Sequence, residues 1–332
     1  MIALYDYITM TFSGYTVSEI KSLLGLIDYT FEPGNGARGY AQCEYFMSVK
    51  IFSCPAPSNR FNIWLELSGQ GCRTFETYGN ADYQGLFRLV HDDFENVHLT
   101  RLDIAFDDAP LDPRQGVDEF VNGGVLDLDQ ISSLVLDVNP DGTNDHYICK
   151  SRYWNVERSS KGTTVYFGSP SSLIRFRIYD KAKERGFENL HWVRFEAQMR
   201  DERAASFVIK SLFGDVLGMS FSELINNYVR FIENDDINKS RCSTSSWWQR
   251  FIDCTGKLSV FTKPGDEYNL SRLYHHITYN QGNGIYTLLE VLGEEEFLKS
   301  VRQNRSPNFP PKYSVLLQEH RAQEQKKGED KC

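Results

Sequence analysis

The sequence predicts an α+β fold: a mostly antiparallel sheet with helices packed on one face, followed by a mainly helical C-terminal region. Three observations carry this. Leu173–Asp180 and Trp192–Gln198 alternate between apolar and polar residues, the period-two pattern of half-buried strands. Segments with helical apolar spacing, such as Asp82–Phe94, interrupt the strand-like runs. After Arg203 the strand pattern gives way to a succession of helical segments.

In chain order, Leu4–Phe12 is the first expected strand, and a helix follows from Thr16 or Ser18, where a capping residue precedes helical spacing. Pro33–Arg38 is a loop by its glycines and proline. Tyr45–Phe52, Asn62–Leu67 and Cys72–Glu76 are expected strands, with Ser68–Gly71 as the tight turn of a hairpin. That Gly pair is followed by no lysine, so it is not a phosphate loop. Asp82–Phe94 is a helix, and Val97–Phe106 a strand with Arg101, Asp103, Ala105 and Asp107 on one side. Asp118–Asn122 and Leu126–Val135 give helical or irregular cover, and a turn at Pro140–Asn144 leads to strands at Thr164–Gly168, Leu173–Asp180 and Trp192–Gln198. Helices are expected at Ser206–Leu217, Phe221–Glu233, Ser245–Asp253, Leu273–Tyr279, Gly284–Leu292 and Glu294–Arg302, before a Pro-rich break at Pro307–Pro311 and a polar tail. The expected division is 1–203, 204–312 and 313–332.

The 332 residues suffice for a sizeable core, and 41% hydrophobic with 14% aromatic residues suits a globular, soluble chain. No run approaches the roughly 20 apolar residues of a spanning helix. The first twelve residues carry Asp6 and alternate like a strand, unlike a signal peptide. Seven scattered cysteines without a CxxC pair fit neither a zinc site nor a disulfide scaffold, and the expected compartment is a reducing cytoplasm. The net charge of −9 is uneven. Residues 150–203 hold 12 Lys and Arg against 7 Asp and Glu, a basic segment on an acidic body, which is compatible with DNA binding.

The polar faces of these strands gather Glu66, Asp103, Asp107, Arg175, Arg177, Tyr179, Lys181 and Glu196. Carboxylates on neighbouring strands form a hard oxygen site suited to Mg²⁺ or Mn²⁺, and such an ion offsets charge at a phosphoryl group. A tyrosine beside it is a candidate nucleophile, provided nearby cations favour a phenolate. Arg175, Arg177 and Lys181 would hold flanking phosphates, and Arg194, Arg101 and Arg200 add further expected DNA contacts. Bland alternatives stand beside these. A strand tyrosine next to Arg and Lys is more often structural, and Asp103 and Glu196 could simply pair with arginines across the sheet. Adjacent His275 and His276 cannot supply a His-x-His metal pair and are read as surface or groove residues, and Trp247-Trp248 is read as core or a helix-face anchor.

The blocks LYDYITMTF, LELSGQGCRTFE, LTRLDIAFDD, GTTVYFGSPSSLIRFRIYDKAKE and WVRFEAQMR, in order from about residue 4 to 203, resemble the replication initiation factor family. Its members are rolling-circle initiators of small plasmids and related relaxases of integrative conjugative elements. The resemblance implies a metal-dependent, sequence-specific DNA nickase and strand transferase that joins covalently to the 5′ phosphate. It places the nucleophile in Arg177-Ile178-Tyr179-Asp180-Lys181, hence Tyr179, and the metal role on Asp103 and Glu196, with Asp107 added from face geometry. Implied partners are origin DNA, single-stranded or cruciform at the nick, a host helicase and a second copy of the chain, with no membrane. Three other readings remain open: the same chemistry at a transfer origin, a non-catalytic copy-control protein, and an unrelated α+β enzyme acting on anionic small molecules through its Arg-rich face.

Overall fold

In the computed structural model, which describes residues 2–109, 124–187, 190–213, 217–255 and 282–304 with isolated positions at 277, 317, 320 and 321, one ten-stranded antiparallel sheet organises the molecule. β1 (Ile2–Phe12) leads through α1 (Val17–Leu23) to a meander of β2 (Glu32–Asn35), β3 (Tyr40–Phe46), β4 (Val49–Pro55) and β5 (Ile63–Leu67), then α2 (Gly69–Tyr78) and α3 (Tyr83–Asp92). β6 (Val97–Asp108) leads through α4 (Leu128–Leu136) and the short β7 (Tyr147–Cys149) to β8 (Trp154–Ser159), β9 (Gly162–Phe167), β10 (Ile174–Asp180), the single turn α5 (Lys181–Glu184) and β11 (Val193–Arg200). The helical part follows as α6 (Asp201–Phe213), α7 (Leu217–Tyr228), the short β12 (Val229–Phe231) and α8 (Ser246–Thr255), then α9 (Gly282–Leu292) and α10 (Glu294–Gln303).

The strand order is β2-β3-β4-β5-β1-β6-β11-β10-β9-β8. Counting outward from the two central strands, each half repeats one plan: a long strand, a helix, and a meander that returns to pair with that strand before another helix. The sheet is therefore a duplicated unit related by a pseudo-two-fold axis between β1 and β6, a symmetry with no counterpart in a visible sequence repeat.

Apolar residues of the strands share one face with buried residues of α1 to α4 and α6 to α8 in a single core. Phe106 on β6 stacks on Phe221 of α7 at 4.0 Å between ring centroids, and Trp248 of α8 is fully buried against Phe195 and Phe251. No separate core begins at residue 204 among the described residues. Polar residues occupy the other face, where a small cluster of Tyr40, Cys43, Phe52 and Trp64 covers the β3–β5 corner.

Several local expectations give way. Ser68–Gly71 and Cys72–Glu76 are not a hairpin but α2, with the Ser68 hydroxyl accepting from the Gly71 N–H as its N-cap. The reason is amphipathic: Cys72, Phe75 and Tyr78 recur at helical spacing and all are buried. Tyr45–Phe52 is split between β3 and β4 by a turn whose Met47 has φ +52°. Part of the loop at Pro33–Arg38 is the edge strand β2, where a proline is tolerated. The segment Phe221–Glu233 ends its helix at Tyr228, because Val229–Phe231 pairs with β7. Lys181 opens α5, capped by the Asp180 carboxylate, instead of continuing β10. Asp118–Asn122, Leu273–Tyr279 with His275 and His276, and Pro307–Pro311 lie outside the described residues, apart from Ile277. No described helix is long and apolar enough to cross a membrane.

Candidate active site

Register explains how the polar face is wired. Across β10, β11 and β6, Tyr179 stands opposite Arg194, which stands opposite Asp107; the next row toward the sheet centre sets Arg177 opposite Glu196. Directly opposed charges on a sheet face pair. Arg177 grips both carboxylate oxygens of Glu196 at 2.6 Å. Arg194 donates to both oxygens of Asp107, at 2.6 and 2.8 Å. Asp103 instead faces Gln198 and Tyr7, so its partner comes from two residues back on its own strand: Arg101 donates Nε and Nη2 to it at 2.8 and 2.5 Å.

An irregularity in β1 completes the site. The pairing of β1 with β6 shifts between Tyr5 and Tyr7, leaving Asp6 as the extra residue of a β-bulge. The bulge turns Tyr5 into the core against Tyr83 and Phe87, and turns Asp6 and Tyr7 to the polar side. Asp6 accepts from Nη1 of Arg194 at 2.9 Å, so that one buried guanidinium serves two carboxylates from the two halves of the sheet.

These groups open onto a cleft of about 300 Å³. Asp103, Arg101, Arg177, Tyr179 and Lys181 line one part of it, and Asp6, Tyr7, Ser48 and the start of α2 at Ser68–Gln70 line the rest. A Cβ at Gly69 would stand 3.1 Å from the Asp6 carboxylate, so the wall is closely packed there. Arg101 covers the Tyr7 ring at 4.1 Å, and Arg177 covers Tyr179 at 5.1 Å. The Tyr179 hydroxyl donates to Oε2 of Glu196 at 3.4 Å. Lys181 Nζ lies 5.5 Å from the Tyr179 ring and pairs with Glu184.

Burial sets the protonation states. It pushes the Tyr179 phenol well above the ordinary range, with Arg194 pulling the other way and Glu196 reinforcing the rise. It also lowers Lys181, with the charge of Arg194 adding to the effect. Asp103 is pushed up to about 7 by burial, the Arg101 hydrogen bond opposing and Glu196 adding to the rise. For Asp6, burial acts upward, but the charges of Arg194, Lys181, Arg73 and Arg177 outweigh it and hold the carboxyl below its usual value.

Of the residues expected at the site, Tyr179, Arg177, Lys181, Arg101 and Asp103 meet in one cleft, with Glu196 bonded to two of them. Arg194 and Asp107 are placed differently from their expected phosphate and metal roles: each is nearly inaccessible and they bond to each other. Arg175 stacks on Tyr166 at 4.1 Å, outside the cleft, and Arg200 donates to the Pro170 carbonyl at the far end of β11. Glu66 is flanked by β4 and β1, not at a sheet edge, and is bonded to Lys50 and Tyr7. Asp6, Tyr7 and Ser68–Gln70 escaped sequence reasoning. A bulge leaves no mark in composition, but serine before helically spaced Cys72, Phe75 and Tyr78 was a usable signal for α2.

Among the described residues, no three His, Cys, Asp or Glu side chains converge as a ready metal cage. Two buried carboxylates on adjacent strands, Asp103 and Glu196, nevertheless fit Mg²⁺ or Mn²⁺, which commonly take one or two carboxylates and complete their shell with water and substrate phosphate.

Comparison with known proteins agrees with this architecture. The model of the rolling-circle replication initiation protein N-terminal domain matches residues 2–91. NicK of Bacillus subtilis (strain 168), a proposed DNA relaxase, is 28% identical over 284 residues, covering 82% of this chain and 77% of that protein. The rolling-circle replication initiator protein from Geobacillus stearothermophilus superposes with a TM-score of 0.67 at 25% identity, covering 79% of this chain and 99% of that one. The replication initiation factor model matches residues 97–301, more than half of the chain, and the protein belongs to that family.

Proposed function

We propose that this chain is a tyrosine-dependent DNA nickase and strand transferase that cuts one strand at a specific origin to start rolling-circle replication. The observation that carries the reading is Tyr179, set in a cleft with three cations and hydrogen-bonded to a buried glutamate. In the step proposed, Tyr179 Oη attacks the scissile phosphorus, an O–P bond forms, and the bond from phosphorus to the 3′ oxygen breaks. The phenolic proton passes to solvent in the cleft, and the leaving 3′ oxygen takes up one proton to become a hydroxyl. The product is a 5′-phosphotyrosine link, and the reverse attack by a 3′ hydroxyl reseals a strand. A neutral phenol at rest needs such an acceptor. Arg101, Arg177 and Lys181 grip phosphate oxygens, and the start of α2 adds the positive end of a helix to the same wall. Asp103 and Glu196 would hold a Mg²⁺ or Mn²⁺ ion, which, when bound, would polarise the phosphoryl group.

The test uses supercoiled DNA carrying the candidate origin, with Mg²⁺ or Mn²⁺. Wild type should yield nicked circles with protein attached, and Tyr179→Phe or EDTA should yield none. Equal nicking by the variant would move the nucleophile elsewhere. Origin binding without nicking by either protein would favour a copy-control role. The likeness to NicK supports a second reading, the same chemistry at a transfer origin, for which DNA from such an origin would be the preferred substrate. A host helicase and a second copy of the chain are the proposed partners.

A further inference from the structure

Two of the cleft's arginines occupy places that a cation would need. Arg101 donates Nε and Nη2 to Asp103, and Arg177 sets Nη2 between the two oxygens of Glu196, the two acids that fit a divalent ion. The acids are nearly inaccessible, 2% and 1% exposed at the side chain, whereas the arginines are 30% and 40% exposed. Each guanidinium also rests on an aromatic ring in the cleft wall, Arg101 on Tyr7 and Arg177 on Tyr179, a support that does not depend on the carboxylate. The contrast is Arg194, whose side chain is 5% exposed and held by two carboxylates, and which has no way out.

We propose that Arg101 and Arg177 are exchangeable counter-ions: they neutralise Asp103 and Glu196 in the free protein, yield those carboxylates to an entering divalent cation, and swing on their aromatic supports to the DNA phosphates. This rests on the metal-assisted nicking reading of the cleft. A buried carboxylate requires a positive partner in either state, and the guanidinium forks match phosphate as well as carboxylate. Cation and DNA then bind with positive, reciprocal coupling, because the cation frees the arginines for phosphate and DNA draws them off the acids that the cation needs.

The experiment measures Mn²⁺ binding by the paramagnetic resonance of the free ion, on the full chain carrying Tyr179→Phe so that no covalent product forms. Titrations are made with Mn²⁺ alone and with oligothymidylate present. Arg101→Gln and Arg177→Gln should each tighten Mn²⁺ binding about fivefold or more without DNA, and should lose the strengthening that DNA gives the parent. Lys181→Gln removes the same charge from the same cleft without freeing either acid, and should shift affinity by less than about twofold. Arg177→Lys, which keeps the charge but loses the planar guanidinium that lies over Tyr179, should fall between. Arginine variants that bind Mn²⁺ no more tightly than Lys181→Gln, or that keep the full DNA effect, would overturn the exchange. Mn²⁺ binding unchanged by Asp103→Asn with Glu196→Gln would instead remove the metal reading itself, and the exchange with it.

Discussion

Asp6 and Lys181 show two buried charges of the cleft bearing on stability in opposite directions. Asp6 binds fewer protons folded than unfolded, because the surrounding cations outweigh its burial. Its contribution to stability is therefore present above the unfolded carboxyl value and is lost as pH falls through the lower folded value. Thermal melts of Asp6→Asn should lie below wild type at neutral pH and converge with it under strongly acid conditions; a constant gap would assign Asp6 a role other than ion pairing. Lys181 is the opposite case, a 4% exposed ammonium whose pKa burial lowers. Lys181→Met should abolish nicking yet raise unfolding stability by about 1 kcal/mol, read from urea denaturation, since the site trades stability for function. Strand alternation put Tyr179, Arg177, Glu196 and Asp103 on one face, and they are found there. Alternation says nothing of which residue stands opposite which, so it could not reveal that Arg194 is consumed by Asp107.

At the scale of elements, the bulge in β1 and the start of α2 form one device. Arg73 of α2 is buried and donates to the Tyr5 carbonyl at 2.8 Å, satisfying the backbone beside the bulge, while Glu76 binds the same guanidinium and accepts from Tyr83. Arg73→Met leaves Glu76 buried without that cation and frees the bulge, so stability should fall by about 3 kcal/mol and nicking should fall with it. Ser68→Ala removes only the N-cap and should cost about 1 kcal/mol, measured by the same denaturation. In sequence α2 reads as a hairpin because two glycines flanking Gln70 suggest a turn more strongly than the spacing of Cys72, Phe75 and Tyr78 suggests a helix. Gly71 is there for packing: a Cβ would come within 2.7 Å of the Ser48 carbonyl oxygen.

For the molecule as a whole, the shared core is the decisive feature. Phe221, Trp248 and Phe251, all beyond residue 203, pack on the same sheet face as Phe106 and Phe195. Trp248→Ala should cost about 3–5 kcal/mol and move the unfolding of the sheet and of the helices together in one transition. Two separate transitions, followed by circular dichroism and by fluorescence, would instead show that residues after 203 fold as a unit of their own.

The sequence by itself determined the fold class, the face on which the charged residues lie and the family, because period-two alternation and compact motif blocks are local properties of the chain. Only the tertiary structure decided the pseudo-two-fold plan, the bulge that brings Asp6 to the cleft, and which arginine neutralises which acid. Those depend on register between strands as far apart as β1 and β11, and two segments separated by nearly 190 residues carry no local trace of how they will be aligned.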